Sequence, residues 1–206
     1  MGTYRLGTIT VQDEEAGALV LDGDGFAAAG EIATLLTNAA VGKYLGLSES
    51  EMKRARELVD DYRSALTKLY ADGHWVPPSL DPQARTAREH FASGVERLLG
   101  PERAARLKRL SWRIRGGTAL VDDDVAETLQ LTPLQRTSIA EAAQQSEQEN
   151  QRLLQSIGHA RQGRLMSHRP LEEAGQDAAR AADEHLTALL TPEQRERFEL
   201  MKRGQT

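Results

Sequence analysis

The sequence predicts an all-α protein: two tandem-duplicated long helical hairpins with short flanking helices, behind an N-terminal arm that is irregular or a weak β-hairpin. Three observations carry this. Ala, Leu, Glu, Gln and Arg dominate the 206 residues, the composition of long helices. Apolar residues recur at helical spacing over most of the chain. A short punctuation pattern, a leucine followed by a helix-capping residue, is written four times. The organisation that follows is an acidic, Gly-rich arm over 1–31 and two helical-hairpin repeats over 32–116 and 117–206.

In the arm, Tyr4, Leu6, Thr8 and Thr10 alternate with other residues, and Ala18-Leu19-Val20-Leu21 is a short apolar run. One weak hairpin or a poorly ordered arm both fit. Gly23-Asp24-Gly25-Phe26-Ala27-Ala28 resembles a dinucleotide-binding turn, but almost no strand-like sequence follows to build its parallel sheet. A flexible Asp-Gly turn is the better reading.

The punctuation points are Leu47-Ser48-Glu49-Ser50-Glu51, Leu99-Gly100-Pro101-Glu102-Arg103, Leu131-Thr132-Pro133-Leu134-Gln135 and Leu190-Thr191-Pro192-Glu193-Gln194. Ser48, Thr132 and Thr191 can accept a bond from an orphan N–H of the first turn. Glu51, Gln135 and Gln194, three residues on, can reach back to the cap's own N–H. Pro101, Pro133 and Pro192 occupy the first helical position, where the missing N–H costs nothing. The second point is half of this design, since Gly100 is a poorer cap and Arg103 cannot accept a bond.

These points pair up. Thr34, Leu36, Val41, Leu45, Leu47 and Ser48 align with Thr118, Leu120, Val125, Leu129, Leu131 and Thr132, each 84 residues later. Leu98-Leu99-Gly100-Pro101-Glu102 aligns with Leu189-Leu190-Thr191-Pro192-Glu193, 91 residues later. In the first half, Ala55, Leu58, Val59, Tyr62, Ala65, Leu66 and Leu69 make one amphipathic helix that stops near Pro77-Pro78. A return helix carries Ala84, Ala87, Phe91, Val95 and Leu98, and Leu107, Leu110 and Ile114 form a further stripe closed by Gly116-Gly117. In the second half, a helix runs from Pro133 through Ile139, Ala142 and Leu153, with a wholly polar middle from Gln144 to Gln151. A break is expected from Gly158 to Pro170, then a return helix with Ala178, Ala182 and Leu186, and a last helix with Phe198 and Met201. Polar faces this long leave a thin core, so a homodimer is expected.

The two Leu-Thr-Pro-x-Gln segments match the Leu-Thr-x-x-Gln repeat of the Spy/CpxP family, and the other two points look like diverged copies. The resemblance covers about residues 32–206. It implies an all-helical, typically extracytoplasmic protein that often dimerises into a curved cradle. The roles it implies are periplasmic chaperone, regulator of envelope-stress signalling, or a relative that binds zinc or senses nickel and cobalt.

Candidate sites are few. His159, Met166 and His168 share a loop that could present soft ligands. His90 and His185 each follow a glutamate at matching places in the two return helices. His159, His168 and His185 are therefore the candidate metal ligands, although no pair has the spacing of a zinc or di-iron motif. No cofactor is otherwise expected. Arg103, Arg106, Lys108, Arg109, Arg113 and Arg115 crowd a short stretch around Trp112. They fit either an anionic partner or a solvated helix face that pairs with the arm or with Asp122-Asp123-Asp124. A net charge of −5 argues against nucleic acid as a partner. With no cysteine, thiolate chemistry is excluded. No nucleophile elbow or phosphate loop occurs, so the chain is not read as an enzyme.

The function expected is non-enzymatic: a binding or chaperone-like protein of the Spy/CpxP type that holds unfolded or flexible clients. A metal-binding relative and a cytoplasmic structural or adaptor protein are the alternatives. No stretch approaches the ~20 apolar residues of a membrane span. The first fifteen residues lack the charged start and apolar run of a secretory signal. The place is therefore the periplasm if a signal has been removed, and the cytoplasm otherwise.

Overall fold

In a computed structural model the described residues are 8–13, 17–22, 31–69, 71, 82–161 and 169–205. Strands β1 (Thr8–Asp13) and β2 (Gly17–Asp22) pair antiparallel, Ile9 opposite Leu21 and Val11 opposite Leu19. Helix then predominates. In order come α1 (Ile32–Thr37), α2 (Ala39–Tyr44), α3 (Glu49–Leu69) and α4 (Pro82–Arg115). A 3-10 turn (Gly116–Val121) follows, then α5 (Asp123–Thr128), α6 (Pro133–Arg161), α7 (Arg169–Ala188) and α8 (Pro192–Arg203). No helix among the described residues is long and apolar enough to cross a membrane.

The chain separates into two compact units. Among the described residues, one takes 8–22 and 31–110, the other 111–206. In the first, α3 and the outer arm of α4 run antiparallel. Arg103 meets Glu51, a Cβ on Gly94 would lie 2.6 Å from Leu58 Cδ1, and the rings of Tyr62 and Phe91 stack at 4.6 Å. Its core holds Leu35, Leu36, Val41, Leu45, Ala55, Val59, Val95, Leu99, Leu107 and Leu110. Farther along α3, Leu58, Tyr62, Ala65, Leu66 and Leu69 are half-buried. The helix is amphipathic, and part of its apolar stripe stays open to solvent.

In the second unit Leu120, Val125, Leu129, Leu131, Ile139, Leu186, Leu190, Phe198 and Met201 form one cluster, with Trp112 packed on its edge. The 3-10 turn presses against α7 at Gly117. Its amide donates to the Asp183 carboxylate at 2.5 Å, and a Cβ there would come within 2.9 Å of Leu186 Cβ. Only a residue without a side chain allows that approach.

Helix α4 is helical on both sides of Gly100, which itself has φ 71° and ψ 168°. That conformation is essentially confined to glycine. The break expected after Gly158 does not begin there, because α6 continues to Arg161. One glycine costs a helix only about 1 kcal/mol relative to alanine, too little to end a long helix already under way from Pro133.

Candidate functional site

The helix starts are the built polar features of both units. At α3 the Glu51 carboxylate accepts from the Ser48 amide at 2.8 Å, and the Glu51 amide donates to Ser48 Oγ at 3.3 Å. At α6 the Thr132 amide donates to Gln135 Oε1 at 3.0 Å, and the Gln135 amide to Thr132 Oγ1 at 3.2 Å. At α8 the same two bonds join Thr191 and Gln194, again at 3.0 and 3.2 Å. Each is a complete capping box, worth on the order of 1 kcal/mol.

The boxes do not stand alone. In the second unit the Gln135 amide group donates to Gln194 Oε1 at 2.8 Å and to the Leu189 carbonyl at 3.2 Å. Gln194 Nε2 donates to the Leu129 carbonyl at 3.2 Å and to Gln135 Oε1 at 3.3 Å. Each glutamine thus closes its own cap with its oxygen. With its nitrogen it binds a carbonyl just ahead of the other helix. The result is a reciprocal joint between the starts of α6 and α8.

The first unit holds an ionic joint between the start of α3 and the stretch of α4 just past Gly100. Arg103 Nη2 donates to Glu51 Oε1 at 2.9 Å and to the Leu98 carbonyl at 3.4 Å, and Nε donates to the Leu99 carbonyl at 2.7 Å. The ordinary value of the Glu51 carboxyl, 4.5, falls to about 2. The bond from the Ser48 backbone is the largest cause, followed by those from Arg103 and the Ser48 hydroxyl. Glu193, in the first turn of α8, is also lowered, chiefly by its own backbone amide and then by the Thr191 hydroxyl.

The approach to each joint is built alike. Helix α2 ends in a Schellman motif: the Leu47 amide reaches the Gly42 carbonyl at 2.8 Å, the Gly46 amide reaches the Lys43 carbonyl at 3.1 Å, and Gly46 has φ 66°. Helix α5 ends the same way, with Leu131 to Ala126 at 2.9 Å, Gln130 to Glu127 at 3.0 Å and Gln130 at φ 53°. The next residues, Ser48 and Thr132, are the caps.

The basic residues are mostly engaged locally. Arg103 belongs to the ionic joint. The Arg106 guanidinium lies 5.1 Å from the centre of the Tyr44 ring. Arg113 Nε donates to the Lys202 carbonyl at 2.6 Å, at the end of α8. Arg115 grips Asp122 through two bonds, at 2.8 and 2.9 Å, and donates to the Thr118 carbonyl. Lys108 and Arg109 are half-buried.

The histidines are dispersed in what can be described. His185 is exposed on α7 and His90 on α4. Of His159 only the backbone is described, within α6. His168 and Met166 lie outside the described residues. Among the described residues no group of three or more His, Cys, Asp or Glu is placed to hold a metal ion.

Sequence reasoning found all three capping boxes but missed the joints between them. A signal was present: a capping-box glutamine keeps an amide N–H₂ that a glutamate lacks, and two such residues need acceptors. No family model, curated protein or solved structure matches this chain.

Proposed function

We propose that this chain is a non-enzymatic helical binding protein of the Spy/CpxP type, holding unfolded or flexible protein segments in envelope stress. The observation that carries the reading is the repeated Leu-Thr-Pro-x-Gln helix start and its reciprocal glutamine joint. That geometry gives the motif a use beyond capping a helix, and the motif is what the chain shares with that family.

The same reading makes the two units copies of one helical hairpin. Burial supports this. Buried positions 33, 35, 36, 41, 42, 45 and 55 become 117, 119, 120, 125, 126, 129 and 139 when 84 is added, and all seven of those are buried. Buried positions 95, 99, 107 and 110 become buried 186, 190, 198 and 201 when 91 is added, whereas buried 59 and 91 fall on half-buried 143 and 182, and buried 94 on exposed 185. The N-terminal ribbon of β1 and β2 lies outside the repeat.

The surface offered to a client is the part of the α3 stripe beyond the Tyr62–Phe91 stack, Leu66 and Leu69, which stay half-buried although the sequence reads Leu66 as core. Exposed Arg63 and Arg56 lie to one side of that stripe at helical spacing, and Lys53 and Asp60 on the opposite face keep the helix soluble. A second copy is proposed to cover part of it in a homodimer. Action in the periplasm requires a secretory signal in the full reading frame. Without one, the same binding role operates in the cytoplasm.

An aggregation-suppression assay on a chemically unfolded client tests the reading. The parent chain in several-fold excess should suppress light scattering, and Leu66→Asp should weaken that effect while leaving the helical circular dichroism unchanged. No suppression by the parent chain contradicts the role.

A further inference from the structure

Glu51 and Arg103 occupy the positions that Gln135 and Gln194 hold 84 and 91 residues later. The two pairs share one carbonyl position, served by opposite members, while no bond to Leu45 among the described residues matches the one from Gln194 to Leu129. Arg103 donates to Leu98, and Gln135 donates to Leu189, the residue 91 positions beyond Leu98. We infer that Glu51–Arg103 and Gln135–Gln194 are one joint in two pairing chemistries, so that its residues can be exchanged only as matched pairs. The inference rests on the twofold repetition proposed above and not on client binding.

The reason is donor and acceptor arithmetic. A joint must supply an acceptor for the cap N–H of the long helix and a donor for the carbonyls that precede the second helix. Each glutamine supplies one of both, so the neutral joint is symmetric. A carboxylate only accepts and a guanidinium only donates. In the ionic joint Glu51 therefore takes the Ser48 N–H, and Arg103 takes the Leu98 and Leu99 carbonyls. The charged bond between them closes the joint.

Gly100 follows from the same division. Thr191, its counterpart, sits at φ −66°, ψ 160° and receives its cap bond because Gln194 can accept from its amide. Arg103 has no acceptor to offer the Gly100 amide. The chain instead turns through a conformation that only glycine holds comfortably.

Single exchanges then leave one group without its complement. With Arg103→Gln alone, one amide N–H₂ must serve three acceptors, Glu51 and the Leu98 and Leu99 carbonyls, and the charge pairing is lost. With Glu51→Gln alone, one amide oxygen must accept from both the Ser48 amide and the guanidinium, and the charge pairing is lost. Changing both recreates the glutamine joint. The amide that replaces Glu51 can then cap Ser48 and serve Leu98, and the amide that replaces Arg103 can accept from Gly100.

The full chain is made as E51Q, R103Q and E51Q/R103Q, and amide exchange at Ser48 is followed by NMR. Each single change should speed exchange roughly tenfold, the scale of one charge-assisted bond. The pair should return to within about threefold of the parent. Effects that multiply in the double variant, to about a hundredfold, overturn the inference. If one of these chains does not fold, Q135E, Q194R and Q135E/Q194R read the same rule at the Thr132 amide. Restoration by the pair supports it, and multiplication overturns it. The readout contains no client, so failed aggregation suppression leaves the result intact, and multiplying effects leave the binding role open.

Discussion

At residues 51 and 103 a carboxylate faces a guanidinium. At 135 and 194 two amides face one another across nearly the same bond length, 2.8 Å against 2.9 Å for the ionic pair. Around them some apolar positions repeat, Val41 and Val125, Leu45 and Leu129, Leu99 and Leu190, while others change size, Ala55 against Ile139 and Leu107 against Phe198. Burial tolerates exchange of one apolar side chain for another where the neighbours repack. A polar joint tolerates exchange only if donors and acceptors still match. On the proposed repeat, the core varies in volume between the units, while the joint varies as a donor–acceptor pair.

The largest expected difference lies in the core. Phe198 and Leu107, paired by the proposed repeat, are both fully buried. Phe198→Ala should destabilise by about 3–5 kcal/mol and Leu107→Ala by about 2–5 kcal/mol. Urea unfolding monitored by tryptophan fluorescence checks this, since Trp112 borders the Phe198 cluster. A loss below about 1 kcal/mol at either site would show that the site is not core.

Gly100→Ala comes next. Nothing lies within 4 Å of the added Cβ, so the cost is conformational, about 1–3 kcal/mol. Thermal unfolding of this variant measures it. An unchanged midpoint would mean that the chain at residue 100 is not held at positive φ.

Acid should separate the units more gently. The Glu51 carboxyl is lowered from 4.5 to about 2, so what it adds to the folded state is fully present above about pH 4.5 and lost as pH falls through about 2. The two glutamines do not titrate, and the lowered carboxyl beside them, Glu193, is held by its own backbone amide and the Thr191 hydroxyl, not by Thr132. Exchange at the Ser48 amide should therefore accelerate across that interval more than exchange at Thr132. Parallel acceleration at both would remove the contrast.

Much of this fold can be read from the letters because helix boundaries depend on neighbours. Ser48 with Glu51, Thr132 with Gln135 and Thr191 with Gln194 lie three residues apart, and the cap bonds form within that reach. What escaped depends on distant partners. Gly117 reads as a helix stop, yet its role is set by Asp183, 66 residues away. The stretch from Glu102 to Arg115 reads as a charged patch, six cations against one carboxylate. Arg115 meets Asp122, a partner the sequence already offers, but Arg103 and Arg113 meet Glu51 and the Lys202 carbonyl, 52 and 89 residues away. The amides of Gln135 and Gln194 have no local use, and their pairing appears only when α6 and α8 are brought together.

The most direct test of the joint is a double-mutant cycle on Gln135→Ala and Gln194→Ala in the full chain, read by equilibrium unfolding. The expected result is a coupling energy within the range of about 0.5–3 kcal/mol seen for residues in one hydrogen-bond network. Two additive losses, each no larger than a severed helix cap, would contradict the joint and leave only three separate caps.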